Sequence, residues 1–102
     1  MLKPDRIIGM TSSFFDSCVL FTASDLGVFA RLAESGPMDA ASLASALQLD
    51  GRGTRLLLDA CVALELLTKQ AETYSNTPET AVFLVPGSPG DLSAAIRYNR
   101  DV

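Results

Sequence analysis

Asp50-Gly51-Arg52-Gly53 is the stretch whose residue types come nearest to chemistry. Closely spaced glycines let a backbone approach phosphate groups. The dinucleotide-binding pattern also needs a third glycine and a preceding strand, and neither is present, because the residues ahead of Asp50 read as helix. The same four residues make better sense as a helix start. Asp50 can accept backbone N–H groups that have no partner inside the helix, with Gly51, Arg52 and Gly53 as the first turn. Asp50, Asp59 and Glu65 are spread over helix positions and form no acid/base pair, so they read as capping or solvated charges. There is no histidine in the 102 residues, which removes the commonest general base and the usual nucleophile triads. The 2 cysteines, Cys18 and Cys61, lie in apolar helical patterns without a CxxC pair. They read as buried free thiols, not as a disulfide or a metal site. No residue is assigned to catalysis, to a cofactor or to a metal.

The charge balance narrows the partners. Eight basic and 12 acidic residues leave a net charge of -4, whereas nucleic-acid binders draw most of their affinity from basic patches that release counterions. Hydrophobic residues make up 48% and charged residues 20%, against about 25% charged in an average soluble domain. A single domain of this length buries only about 60–65% of its unfolded surface, so an excess of apolar side chains points to a protein partner. No run approaches the roughly 20 apolar residues of a membrane span; Cys18-Val19-Leu20-Phe21 is interrupted by Asp16 and Thr22. Met1-Leu2-Lys3-Pro4-Asp5-Arg6 lacks the apolar centre of a signal peptide. A cytoplasmic protein with no membrane partner is expected.

Downstream of Asp50, residues 54–66 read as helix, with Leu57, Ala60 or Cys61, and Leu64 on one face and Leu56 and Ala63 widening it. Thr68-Lys69-Gln70 and Thr73-Tyr74-Ser75-Asn76 then read as two short strands joined by Ala71-Glu72. Upstream, residues 4–23 suit helix, in two segments meeting near Thr11-Ser12-Ser13, and its Phe14, Phe15, Val19 and Leu20 cover more than one face. Helix is expected to continue through residues 25–33 with Leu26, Phe29 or Ala30, and Ala33 inward, stopped by Ser35-Gly36-Pro37. A short helix to Leu47 buries Leu43, Ala44 and Leu47. Downstream, Thr77-Pro78-Glu79 starts a helix that holds Ala81, Val82, Phe83 and Leu84. Pro86-Gly87-Ser88-Pro89-Gly90 is a loop, and Asp91 caps a last helix through Leu92, Ala95, Ile96 and Tyr98 that runs to Val102 without a closing signal. The chain therefore reads as the front piece of something longer. The order helix, short helix, turn, helix, hairpin makes residues 1–102 one mainly α, winged-helix-like domain with a short β-hairpin wing.

Ser24-Asp25-Leu26-Gly27-Val28-Phe29, Leu43-Ala44-Ser45-Ala46-Leu47, Gly53-Thr54-Arg55-Leu56-Leu57-Leu58-Asp59-Ala60-Cys61 and Tyr74-Ser75-Asn76-Thr77 occur in this order. Together they resemble the N-terminal dimerisation domain of small-molecule O-methyltransferases that use S-adenosylmethionine, nearest the acetylserotonin branch. The resemblance implies a winged-helix variant that interlocks with its twin as an intertwined homodimer, its long N-terminal helices crossing between subunits. It also implies a following Rossmann-like domain with the cofactor loop and a histidine base, none of which this sequence contains. S-adenosylmethionine is thereby implied for the full-length parent and not for these residues. By position, the resemblance makes Phe14 and Phe15 candidates to line the partner's substrate pocket, and Tyr98 a candidate for the pocket entrance of its own chain.

The competing function is a DNA-binding winged-helix regulator. It would place Arg52 and Arg55 at the groove, with Asp50, Asp59 and Glu65 on the same helix and only Lys69, beside Glu72, on the wing. That balance disfavours a polyanion, and the expectation is no nucleic-acid partner.

Overall fold

A computed structural model describes residues 4–92, 94–96 and 98. Helix α1 runs unbroken over Asp5–Asp25, so the two segments expected to meet near Thr11-Ser12-Ser13 are one. Pro4 sits at its N-cap, and its carbonyl accepts the Ile8 N–H at 2.9 Å. The expected continuation of helix through residues 25–33 does not form. Leu26 closes α1, Gly27 takes a left-handed φ of 82° that a Cβ would disfavour, and α2 restarts over Val28–Ser35. The restart resets the inward face to Val28, Phe29 and Leu32, leaving Leu26 and Ala33 exposed.

Strand β1 (Met38–Asp39) precedes α3 (Ala40–Leu47), whose first turn is capped by Asp39: its carboxylate accepts the Ser42 N–H at 2.7 Å. Helix α4 spans Gly51–Ala63, and Asp50 Oδ2 accepts the Gly53 N–H at 2.7 Å, the cap expected from the sequence. It stops three residues before the expected Leu66, because Glu65 takes a positive φ of 62° and turns the chain towards the sheet. Its buried positions are Thr54, Leu58 and Cys61, while Leu57 and Leu64 are half-buried and Leu56 and Ala63 exposed. Three consecutive leucines make the phase of this stripe ambiguous, and the expected face is off by one residue.

Strands β2 (Leu67–Gln70) and β3 (Thr73–Asn76) form the expected hairpin, joined by Ala71-Glu72 with Ala71 at φ 56°. The sheet has a third member that the sequence did not announce. β1 pairs antiparallel with β3, Met38 opposite Tyr74 and Asp39 opposite Thr73, giving the order β1-β3-β2. Two residues are too short to show the alternation by which strands are recognised. Helix α5 (Pro78–Phe83) starts with a reciprocal cap between Thr77 and Thr80. Of its expected apolar set only Leu84, at the C-cap, is buried; Thr80 is the other inward residue. Beyond it, residues 94–96 and 98 are helical, and the expected run to Val102 lies outside the described residues.

The core gathers Phe29 and Leu32 from α2, Leu43 from α3, Leu58 and Cys61 from α4, Leu67 and Tyr74 from the sheet, with Val19 and Ala23 from the second half of α1. Among the described residues, the first half of α1 adds nothing to it. The molecule is accordingly elongated, 51 × 29 × 23 Å with a radius of gyration of 14.6 Å, against about 13 Å for a compact chain of ~100 residues.

Candidate functional site

Two apolar patterns run along α1. Val19 and Ala23, four residues apart, face the core. Ile7 with Phe14, and Ile8 with Phe15, are seven apart and so share faces, and these face solvent. Ile7 is 70% exposed, Phe14 72% and Phe15 57%, with Ile8 and Met10 also exposed. Cys18, four residues after Phe14, continues this outward stripe and is exposed. The expectation of two buried thiols therefore holds for Cys61 alone, whose burial pushes its pKa up to about 11. Such a thiol stays protonated near neutrality and is no nucleophile. By length and composition α1 is also apolar enough to cross a bilayer, as no uninterrupted run in the sequence suggested. Asp16, past its midpoint, would be costly there.

Beside the second half of α1 lies an apolar hollow of about 320 Å³, lined by Leu20, Leu66, Thr80, Phe83, Leu84, Leu92 and Ile96, with Glu79 at its edge. Through Leu20 and Leu66 it adjoins a second hollow bounded by Asp16, Ser17 and Leu64. Tyr98 is 69% exposed on the helical segment that follows Leu92. Phe14, Phe15 and Tyr98 line neither hollow. All three stand on the surface, and within one copy the structure does not gather them into a common pocket.

A further hollow carries polar and charged side chains. Asp39, Arg52, Arg55, Glu72 and Tyr74 surround an open hollow of about 440 Å³ between α3, α4 and the hairpin. At its back the Tyr74 hydroxyl donates to Asp59 Oδ1. Lys69 Nζ lies 3.4 Å from the same oxygen and 5.1 Å from the Tyr74 ring centre. Tyr74's hydroxyl, then Lys69's charge, hold the Asp59 carboxyl below its ordinary pKa. Burial, then Asp59, push the Tyr74 phenol up, and the Lys69 ammonium is raised by Tyr74 and Asp59. Each group is thus held in its resting state: carboxylate ionised, phenol and ammonium protonated. The cluster ties the hairpin to α4 and offers no base or nucleophile. Asp59 and Tyr74 lie fifteen residues apart on different elements, so no local pattern announced their bond. Among the described residues no group of His, Cys, Asp and Glu could hold a metal ion.

Residues 8–86 match the family model of the O-methyltransferase dimerisation domain. The chain is 44% identical over 98 residues to acetylserotonin O-methyltransferase of Mus musculus, covering 90% of this chain and 25% of that protein. To the Macaca mulatta enzyme it is 40% identical over 93 residues, 86% of this chain and 27% of that protein. It therefore spans about a quarter of the length of the curated relatives it matches. Among solved structures it is similar to human N-acetylserotonin methyltransferase in complex with SAM, with a TM-score of 0.81 and 36% identity over 96% of this chain and 30% of that one.

Proposed function

The chain belongs to the O-methyltransferase dimerisation-domain family, and from that premise we propose that it is the homodimerisation module of a SAM-dependent small-molecule O-methyltransferase. The observation that carries the reading is the outward stripe of α1. Ile7, Ile8, Met10, Phe14 and Phe15 are exposed on a helix half none of whose described residues joins the core. In water such a stripe is unfavourable at about 25 cal/mol per Å² of apolar surface, and a second copy supplies the matching surface. The reading takes α3, α4 and the hairpin as a winged-helix-like unit and the pair as an intertwined, cytoplasmic homodimer without nucleic-acid or membrane partners.

The cofactor loop and the base belong, on this reading, to a methyltransferase domain outside these 102 residues. This domain contributes to the substrate pocket through Phe14 and Phe15 across the dimer and Tyr98 at the entrance of its own chain. The chain alone binds no S-adenosylmethionine and transfers no methyl group. Light scattering at micromolar concentration should give twice the 10.8 kDa chain mass. A species of single mass throughout that range would refute the module.

A further inference from the structure

Pro86-Gly87-Ser88-Pro89-Gly90 has the composition of a loose connection, yet it is tied at nearly every step. The Ser88 hydroxyl lies 2.6 Å from the Val82 carbonyl and 2.7 Å from that of Val85, so it is shared between one acceptor in the last turn of α5 and one just past its end. Gly87, at a φ of +86°, donates its N–H to Asp91 Oδ2 at 3.0 Å. The Asp91 N–H donates to the Ser88 carbonyl at 3.2 Å, and the Leu92 N–H reaches back to the Phe83 carbonyl at 2.8 Å. Gly90 packs flat against α5. A Cβ there would come within 2.8 Å of Val82 Cγ1 and 3.1 Å of Phe83 Cδ1.

The consequence is placement. The turn at 86–91 brings the chain back to Phe83 and sets Leu92 and Ile96 in the lining of the 320 Å³ hollow, together with Leu20, Leu66, Phe83 and Leu84. Freed from α5, the segment carrying Leu92 and Ile96 would leave an open slope in place of a hollow.

We propose that the turn at 86–91 is a latch that builds a seat for α1 of a second copy, and so acts as a positioning element for assembly. The inference rests on the dimer reading above. The occupant follows from the lining and from what the chain has to offer. Glu79 is the one ionisable residue among the eight that line the hollow, which suits an apolar guest. The large apolar side chains at the exposed start of α1, Ile7, Ile8 and Met10, are such guests. The hollow adjoins the one beside Asp16 and Ser17, so a helix laid along the flank of α1 enters it.

Gly90→Val tests the latch, read by sedimentation equilibrium and by amide exchange at Leu92. The wild type should be dimeric with a protected Leu92 N–H. Gly90→Val should keep its helical circular dichroism, lose that protection and raise the dimer dissociation constant at least tenfold. If Gly90→Val loses helix content, Ser88→Ala combined with Asp91→Ala, which adds no bulk and removes the Gly87 acceptor, decides by the same readouts, with a several-fold weakening expected. A variant that loses Leu92 protection but dimerises with the wild-type constant overturns the latch and leaves the dimer standing. A wild type that stays monomeric overturns the dimer reading itself, and the seat with it.

Discussion

Helices α4 and α1 are both apolar and both begin near a proline or an aspartate cap, but they meet opposite fates. Helix α4 buries Thr54, Leu58 and Cys61 beneath α3, α1 and the sheet, and its polar edge is fastened by Asp59 to Tyr74 and Lys69. Among its described residues, helix α1 buries only Val19 and Ala23, both in its second half, and leaves Ile7, Ile8, Met10, Phe14 and Phe15 in solvent. The same kind of stripe thus serves the fold in one helix and is left over in the other. An amphipathic pattern reports that a face will be covered; it does not report by which chain.

The contrast is sharpened most by removing the centre of the closed half. Leu58→Ala should cost about 2–5 kcal/mol, read as a lowered denaturant midpoint, because Leu58 is fully buried. Leu56→Ala, two residues away and 63% exposed, should leave the midpoint nearly unchanged. If Leu56 proves the costly one, the phase assigned to α4 is wrong.

The open half should answer in assembly and not in folding. Phe14→Ser combined with Phe15→Ser should keep helical circular dichroism, yet weaken the dimer by at least about 2 kcal/mol, the scale of aromatic anchors at interfaces. Analytical ultracentrifugation reads the difference. An unchanged dissociation constant would place the interface elsewhere.

A smaller effect belongs to the fastening of the hairpin. Tyr74→Phe removes one hydrogen bond and should cost about 1 kcal/mol at neutral pH. The sign with pH follows from the shifts. Asp59 is depressed, mainly by the Tyr74 hydroxyl, so its contribution is present above the ordinary carboxyl range near pH 4 and fades as pH falls through the lowered value. Tyr74 is raised, first by burial and then by Asp59. Its contribution is present below the ordinary phenol value of about 10 and fades as pH rises through the raised one. Thermal melts across pH should lose part of both limbs in Tyr74→Phe; identical profiles would deny the coupling.

The smallest effect is expected on the polar side. Arg52→Ala with Arg55→Ala should change stability by no more than about 0.5 kcal/mol and leave the dimer intact. A large loss of dimer would move the interface to that side.

Much of the closed half was legible because its signals are local. Asp50 before Gly51-Arg52-Gly53 and Thr77-Pro78 before α5 each name a helix start within four residues. The strand residues of the hairpin and the stop at Gly36 were equally local. What escaped depends on distance or on context. β1 is a strand only because β3 lies beside it. Gly27 breaks a helix that its neighbours' periodicity would have carried on. Cys18 looked buried because apolar residues surround it in sequence, although it lies on the exposed stripe of α1. Of the candidate site, the aromatic excess at Phe14 and Phe15 could be read directly. The hollow that needs Leu20, Leu66, Phe83, Leu92 and Ile96 together could not.

Cys18 offers the most direct test of the claim that the outward stripe of α1 is where two copies meet. It lies on that stripe and is exposed in a single copy, while Cys61 is buried in the core. The rate of Cys18 alkylation should therefore be measured as protein concentration is raised through the dimer dissociation constant. The account predicts that modification slows as dimer forms, with Cys61 protected throughout. Alkylation of Cys18 at the rate of a free thiol, independent of protein concentration, would contradict it.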